Sequence, residues 1–474
     1  MVTTTLQFHV RAATVSRMSQ SFHLALYALL LGSLGVGALF RPALAIAAVV
    51  CVFGLKQWGQ MSVPWLAQNA TFTNLAVGSI VLMSLVIQTF RGQCVPCRLR
   101  TGNWLVIALF GYAFMSLLWT PRPDLAMSMV WSHEYPYILT FVLLAPLAVK
   151  DMEGLRGALL GLVAVGGVLL AALLVFGDWG LRGLVLHGNF HERETNPLAL
   201  AGLAGSVAAA AMYVRARSWS WLGWPLRIAV VAVCLFVIVR SGSRGQLIAA
   251  LGSLVLMLPV AFRITRARGL AGILVGVAVL GLAVGYAVIE YMAGNALRWN
   301  ESLAQRDAVG RWHMAVTLLR EWQKSGAGMV LGLGNSAAFD PSILGFYPHI
   351  VPLEILAEEG LIGAALYLMI LWMVFRAIWR ARRMARQLPE LSGLVAAVGA
   401  SFLFMLIISF KEGNMVGSVF LFMWAILLTR MPELIASSVA HGSMQEQKGR
   451  TIPLHQVVSG RKHATHGVSQ PQNA

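Results

Sequence analysis

The chain has 474 residues, of which 58% are hydrophobic and only 12% charged. So few charges cannot cover a soluble protein of this size, which excludes a soluble enzyme or aqueous scaffold and points to a polytopic membrane protein. The formal net charge of +17 would suggest nucleic acid in a soluble chain. Here it reads as the lysine and arginine excess of cytoplasmic loops, with no nucleic-acid partner.

In chain order, Arg11 and Arg17 precede an apolar run at 22–40. The pattern imitates a signal peptide, but the run is long for one and more spans follow, so an uncleaved first helix is expected. Further runs fall at 43–58, 74–90, 103–120, 134–149, 155–177, 196–214, 224–240, 245–262, 269–291, 354–378, 391–409 and 414–430. Runs of about 17–25 residues fit helices rather than barrel strands. The run 43–58 is the weakest, because Pro42 starts it and Lys56 interrupts its end.

Basic clusters recur after every second span: Arg91, Arg98 and Arg100; Lys150 and Arg156; Arg215, Arg217 and Arg227; Arg263, Arg266 and Arg268; and Arg376 to Arg386. The positive-inside rule places them all in the cytoplasm. Segments 121–133, 178–195, 240–245, 292–353 and 410–413 then face outward. About twelve spans put both termini inside, which suits Arg11 and Arg17, whereas thirteen do not. The expected architecture is therefore an all-α bundle of about twelve transmembrane helices. It divides into N-terminal helices over 1–291, a large outward loop over 292–353, C-terminal helices over 354–430, and a polar cytoplasmic tail over 431–474 expected to be disordered. Within the loop, Trp312, Val316, Leu319 and Trp322 recur at helical spacing and predict an amphipathic helix facing the membrane or the bundle top. Gly326, Gly328, Gly332 and Gly334 predict tight turns.

Four sets of residues can carry chemistry. His349 lies in Tyr347-Pro348-His349-Ile350-Val351-Pro352, where two prolines limit the backbone and aim the ring. An imidazole titrates near neutrality and suits proton transfer, although a lone histidine is also often an ordinary polar residue. Glu354 is placed to orient it; Glu354, Glu358 and Glu359 also suit the first turns of a helix on dipole grounds alone. Arg240 and Arg244 flank a short outward turn, where the charge rule predicts few arginines. Two guanidiniums there fit a phosphate or pyrophosphate bidentately, or anchor two helix ends at the interface. Arg311 in the outward loop supplies a third cation or a solvated helix face. A rival set, His187 and His191 with two acids following, has zinc-like spacing, but Gly188 and Asn189 argue for a loop. Cys94 and Cys97 form a C-x-x-C in a basic loop without the further ligands or fold of a zinc or redox site.

The Ser-Arg-Gly turn at 243–245, Gly310-Arg311 in the loop, Gly332-Leu333-Gly334-Asn335, and Pro348-His349 followed by Leu353-Glu354-Ile355-Leu356-Ala357-Glu358-Glu359-Gly360 resemble, in that order, the O-antigen ligase family of bacterial inner membranes and its polymerase relatives. The resemblance covers roughly 190–430 and is most specific at 347–363. It departs at Ile350, where the family commonly has asparagine.

The resemblance implies a glycosyltransferase with a class C-like membrane fold. Such an enzyme moves a finished glycan from undecaprenyl pyrophosphate to a sugar hydroxyl of lipid A-core at the periplasmic face, completing lipopolysaccharide. It implies His349 as general base and Arg244 and Arg311 as diphosphate binders, no cofactor and no metal; Arg240 is added from its position. Donor, acceptor and membrane lipids are the implied partners.

A polymerase, or a ligase with a protein acceptor, uses the same donor. A transporter or flippase instead predicts ionisable groups deep in several spans and repeat symmetry. The spans here are nearly free of charge, and no long repeat stands out.

Overall fold

The computed structural model describes residues 2–69, 71–129, 135–177, 179–180, 183–186, 193–194, 197–215, 223–262, 281, 285–286 and 301–450. It is a helical bundle. The long helices are α1 (Val2–Phe40), α2 (Ala45–Ser62), α3 (Thr71–Phe90), α4 (Thr101–Met115), α5 (Met152–Phe176), α6 (Pro197–Tyr213), α7 (Gly223–Arg240), α8 (Arg244–Ala261), α9 (Glu301–Trp322), the short α10 (Gly326–Leu331), α11 (Val351–Glu358), α12 (Gly360–Ala385), α13 (Pro389–Ser409) and α14 (Val419–Arg450). Three short antiparallel strands, at Trp179–Gly180, Gly183–Leu186 and Arg193–Glu194, lie between α5 and α6. His187 and His191, the rival metal ligands, fall outside the described residues, as does nearly all of the run 269–291.

Among the described residues, nine helices are long and apolar enough to cross a membrane. This makes the chain a multi-pass helical membrane protein. Three of them, Pro42–Ser62, Pro389–Ser409 and Val419–Ala440, bury 78%, 78% and 72% of their most apolar stretch, so they form the hub. Trp58, Phe402, Phe404, Phe422 and Trp424 are fully enclosed there.

The run 43–58 is thus a full central span, not a weak one. Pro42 opens a short 3-10 turn that leads into α2, a position where its missing N–H costs nothing. The extra crossing has a consequence for topology. The α1–α2 junction lies beside the basic loops, since Arg91 donates to the Leu39 carbonyl at 3.0 Å. The start of the first span lies at the other end, where His23 meets Trp58 and Phe176. Gln20 and Ala440 therefore sit at opposite ends of the bundle, not on one side as expected.

The basic loops do gather at one end. Arg98 donates to the Leu147 carbonyl at 2.7 Å, and Arg430 to the Val149 carbonyl at 2.8 Å. Arg100 pairs with Glu433 at 2.6 Å, and Arg156 with Glu390. Cys94 and Cys97 are joined by a disulfide in the same region.

The helix predicted in the loop is α9, and Trp322 of the expected face packs on the cluster that holds Leu318, Ala338 and Ala357. Leu318 is fully buried against Ala338 and Ala357, whereas Trp312 is 69% exposed. Gly332 and Gly334 adopt the positive φ of tight turns. Gly326 and Gly328 do not, because they belong to α10, which Ser325 caps through the Gly328 amide at 2.8 Å.

Candidate active site

The end of the bundle away from the basic loops is built from irregular backbone. The predicted helix over 354–378 breaks in two at Glu359–Gly360. Gly360 has φ +66°, and a Cβ there would lie 2.3 Å from the Val330 carbonyl oxygen. Gly332, at φ +88°, approaches the same break so closely that a Cβ would lie 2.1 Å from the Glu358 carbonyl oxygen. The Leu333 and Gly334 amides each donate at 2.9 Å to the Ala357 and Glu358 carbonyls, satisfying the orphan end of α11. Only glycine allows this mutual approach.

The following turn is fixed from three directions. Glu358 accepts from the Ser336 amide at 2.8 Å and the Ala338 amide at 3.0 Å. The Asn335 amide donates to Ser116 Oγ at 2.9 Å, and Thr120 Oγ1 donates to the Asn335 carbonyl at 2.6 Å. Glu358 and Glu359 were expected in the first turns of a helix. They lie at its end instead, both buried, with carboxyls pushed above the ordinary range by burial first and, for Glu359, next by the charge of Glu358.

His349 stands where this platform feeds into α11. Its φ of +59° is left-handed, a conformation that disfavours side chains and marks a constrained position. Pro348 is buried behind it and Pro352 lies in the first turn of α11. Ile350 is the N-cap and offers no side-chain acceptor to the helix amides, where an asparagine would. The imidazole lies against Tyr347, with ring centroids 4.1 Å apart. Its pKa is lowered, mainly by burial and further by the charge of Arg311. Both effects favour the neutral ring, the form that can accept a proton.

The charge of Arg311, on α9, thus acts on the histidine. Glu354 is buried one turn into α11, and its Oε2 accepts from the Met415 amide at 2.9 Å. The bond ties α11 to the turn after α13. Its charge, with that of Glu412, acts on the Tyr347 phenol, whose pKa is raised chiefly by burial. Glu354 and the imidazole thus both act on Tyr347, one through its charge and the other through ring contact.

Arg244 opens α8 after the N-cap Ser243, two residues beyond Gly242 at φ +70°. The next residue, Gly245, lies under Lys411: a Cβ there would be 2.3 Å from Lys411 Cδ. Lys411 and Glu412 follow α13, so the Arg244 turn joins the site through them. The Arg240 guanidinium lies 5.0 Å from the Trp179 ring centroid, over its face, a stacking suited to holding a cation at a helix end.

Lys411, Glu412 and Tyr347 were missed in the sequence. The signal was present: the charge rule reads 410–413 as an outward turn, yet it carries a lysine, the anomaly that drew attention to Arg240 and Arg244. Among the described residues, no group of three His, Cys, Asp or Glu side chains is arranged to hold a metal ion.

No known family model matches the chain, and no significant match is found among curated proteins.

Proposed function

We propose that this protein is a membrane glycosyltransferase of the O-antigen ligase type. It transfers a glycan from undecaprenyl pyrophosphate to a sugar hydroxyl of lipid A-core at the periplasmic face of the bacterial inner membrane. The observation that carries this reading is the meeting, at one end of the bundle, of a constrained, partly buried imidazole with the charge of Arg311. The Arg244–Lys411 turn adjoins them through Glu412 and Tyr347.

In the proposed step, the acceptor oxygen attacks the anomeric carbon while its proton passes to His349. The bond from that carbon to the pyrophosphate oxygen breaks, and the electron pair leaves with the pyrophosphate. That leaving group needs charge stabilisation more than a proton, and Arg311, Arg244 and Lys411 are suited to supply it. Attack from the face opposite the pyrophosphate inverts the anomeric centre. The lowered pKa keeps His349 ready as a base at neutral pH. Arg240, stacked on Trp179, borders the donor end. The exposed apolar helix faces suit the polyprenyl chain.

The test is transfer by purified protein supplied with lipid-linked glycan and lipid A-core. A glycan joined to the core supports the reading. Glycan joined only to other repeat units would identify a polymerase.

A further inference from the structure

A cavity of about 320 Å³ lies at the arginine-rich end of the bundle, far from His349. That volume falls in the range of small-ligand sites. Three cations line it from three segments: Arg41 between α1 and α2, Arg91 after α3, and Lys150 before α5. Gln88, Gln93, Asp151 and Glu153 complete the polar lining.

The charges do not cancel within the cavity. Among the described residues, none of Arg41, Arg91 and Lys150 forms a salt bridge. The two acids are engaged elsewhere. Asp151 Oδ1 accepts the Gly154 amide at 2.7 Å as the cap of α5, and its charge also acts on Arg98. Glu153 pairs with Arg156 at 3.4 Å. Three cations in a concave site favour an anion with several oxygens.

The surroundings say which kind. Phe40 and Phe90 immediately precede Arg41 and Arg91, and they are 74% and 87% exposed. Each ends an apolar helix long enough to cross a membrane. The two helix ends are tied by the Arg91–Leu39 bond. Cations set directly beside exposed rings at the end of membrane helices match an amphiphile, with its charge at the head and its tails along the rings. A soluble anion would leave the rings without a role.

We propose that this cavity binds the anionic phosphodiester headgroup of a membrane phospholipid, whose acyl chains run beside Phe40 and Phe90. The site is separate from the proposed transfer chemistry and does not depend on it.

The test uses the full-length protein in detergent and native mass spectrometry. It compares phosphatidylglycerol and phosphatidylcholine of the same chain length, with inorganic phosphate as competitor. We expect phosphatidylglycerol to bind with clear preference and millimolar phosphate to leave it in place. Arg41→Gln with Lys150→Gln should weaken phosphatidylglycerol binding by about fivefold per cation removed, whereas Arg41→Lys should keep it. If the double variant does not elute as a single species, Lys150→Gln alone carries the test, with a loss of about fivefold. Equal binding of the two lipids, or unchanged binding in the Gln variants, overturns the proposal. Displacement of the lipid by phosphate assigns the site to a soluble anion and overturns it as well.

Discussion

At the arginine-rich end, Arg98 and Arg430 donate to main-chain carbonyls of residues 147 and 149, and Arg156 meets a carboxylate of α13. At the far end, the charge of Arg311 falls on the His349 imidazole, and Lys411 lies over the first turn of α8. The backbone differs in parallel. Among the described residues, six of the seven positive-φ glycines, 242, 332, 334, 345, 360 and 413, lie at the far end, with Ser336 and His349 beside them; only Gly92 lies at the other. Cations at one end thus close helix termini, while at the other they border a titratable ring on a constrained platform. Strain of this kind persists only where surrounding contacts over-determine it, and it concentrates at functional sites.

The sharpest way to break this comparison is to remove His349. His349→Ala should lower transfer by roughly 10²–10⁴-fold, the usual worth of a general base, with the protein still inserted and folded. Next come the cations. Arg244→Lys and Arg311→Lys should each lose about tenfold or more in turnover, because a point charge cannot reproduce a bidentate fork. Normal turnover in both would remove the diphosphate role.

Arg311 also sets a pH signature. Its charge lowers the His349 pKa, so Arg311→Gln should raise it, and the base would be lost at a higher pH than in the wild type. The acid limb of the kcat profile should therefore move upward. A stationary limb would separate Arg311 from the imidazole.

Arg430→Ala probes the opposite end. It leaves the carbonyls of Pro146 and Val149 without their donor in a buried site. A stability loss of about 3 kcal/mol is expected, with turnover per folded molecule unchanged. A turnover loss equal to that of His349→Ala would erase the distinction between the two ends.

The smallest effect belongs to Glu359. Burial and Glu358 raise its folded pKa above the ordinary 4.5. The folded state then holds a proton that the unfolded state releases, so this contribution is full below about pH 4.5 and is lost as pH rises toward the folded value. Glu359→Gln should remove that decline, so the variant gains on the wild type as pH rises from 4.5 to alkaline values. Parallel stability–pH curves for the two proteins would contradict it.

Much of the fold was legible because a span is a property of composition over some twenty residues. Lengths, hydrophobic runs and the gathering of the basic loops all follow from it. The misreadings were local. Pro42 and Lys56 looked like interruptions of α2, but a proline at a helix start and a lysine near its end are both compatible with a span. The run 354–378 read as one helix because Glu359-Gly360 breaks it only through a close approach from Gly332, remote in sequence.

His349, Arg244 and Arg311 were visible as polar groups out of place in an apolar chain. Lys411 carried the same signal, whereas Tyr347 meets Glu354 and Glu412 only through folding, which no local pattern records.

Burial limits the choice of reporters for sidedness. Ser243 and Ser336 are 2% and 3% exposed, so cysteines there would label poorly. Ser342 is exposed beside the site, and Lys150 is exposed at the other end. The charge rule predicts periplasmic labelling at 342 and none at 150. A reversed labelling pattern would move the site to the cytoplasmic face.

The central claim is that the irregular end of the bundle transfers a glycan with His349 as base and cationic side chains at the pyrophosphate. It is tested most directly by single-turnover transfer with purified protein, lipid-linked glycan and lipid A-core in excess EDTA. The account predicts core-linked glycan of inverted anomeric configuration from the wild type and almost none from His349→Ala. Absence of transfer by the active, folded wild type unless a divalent metal is added, or equal product from the two proteins, would contradict it.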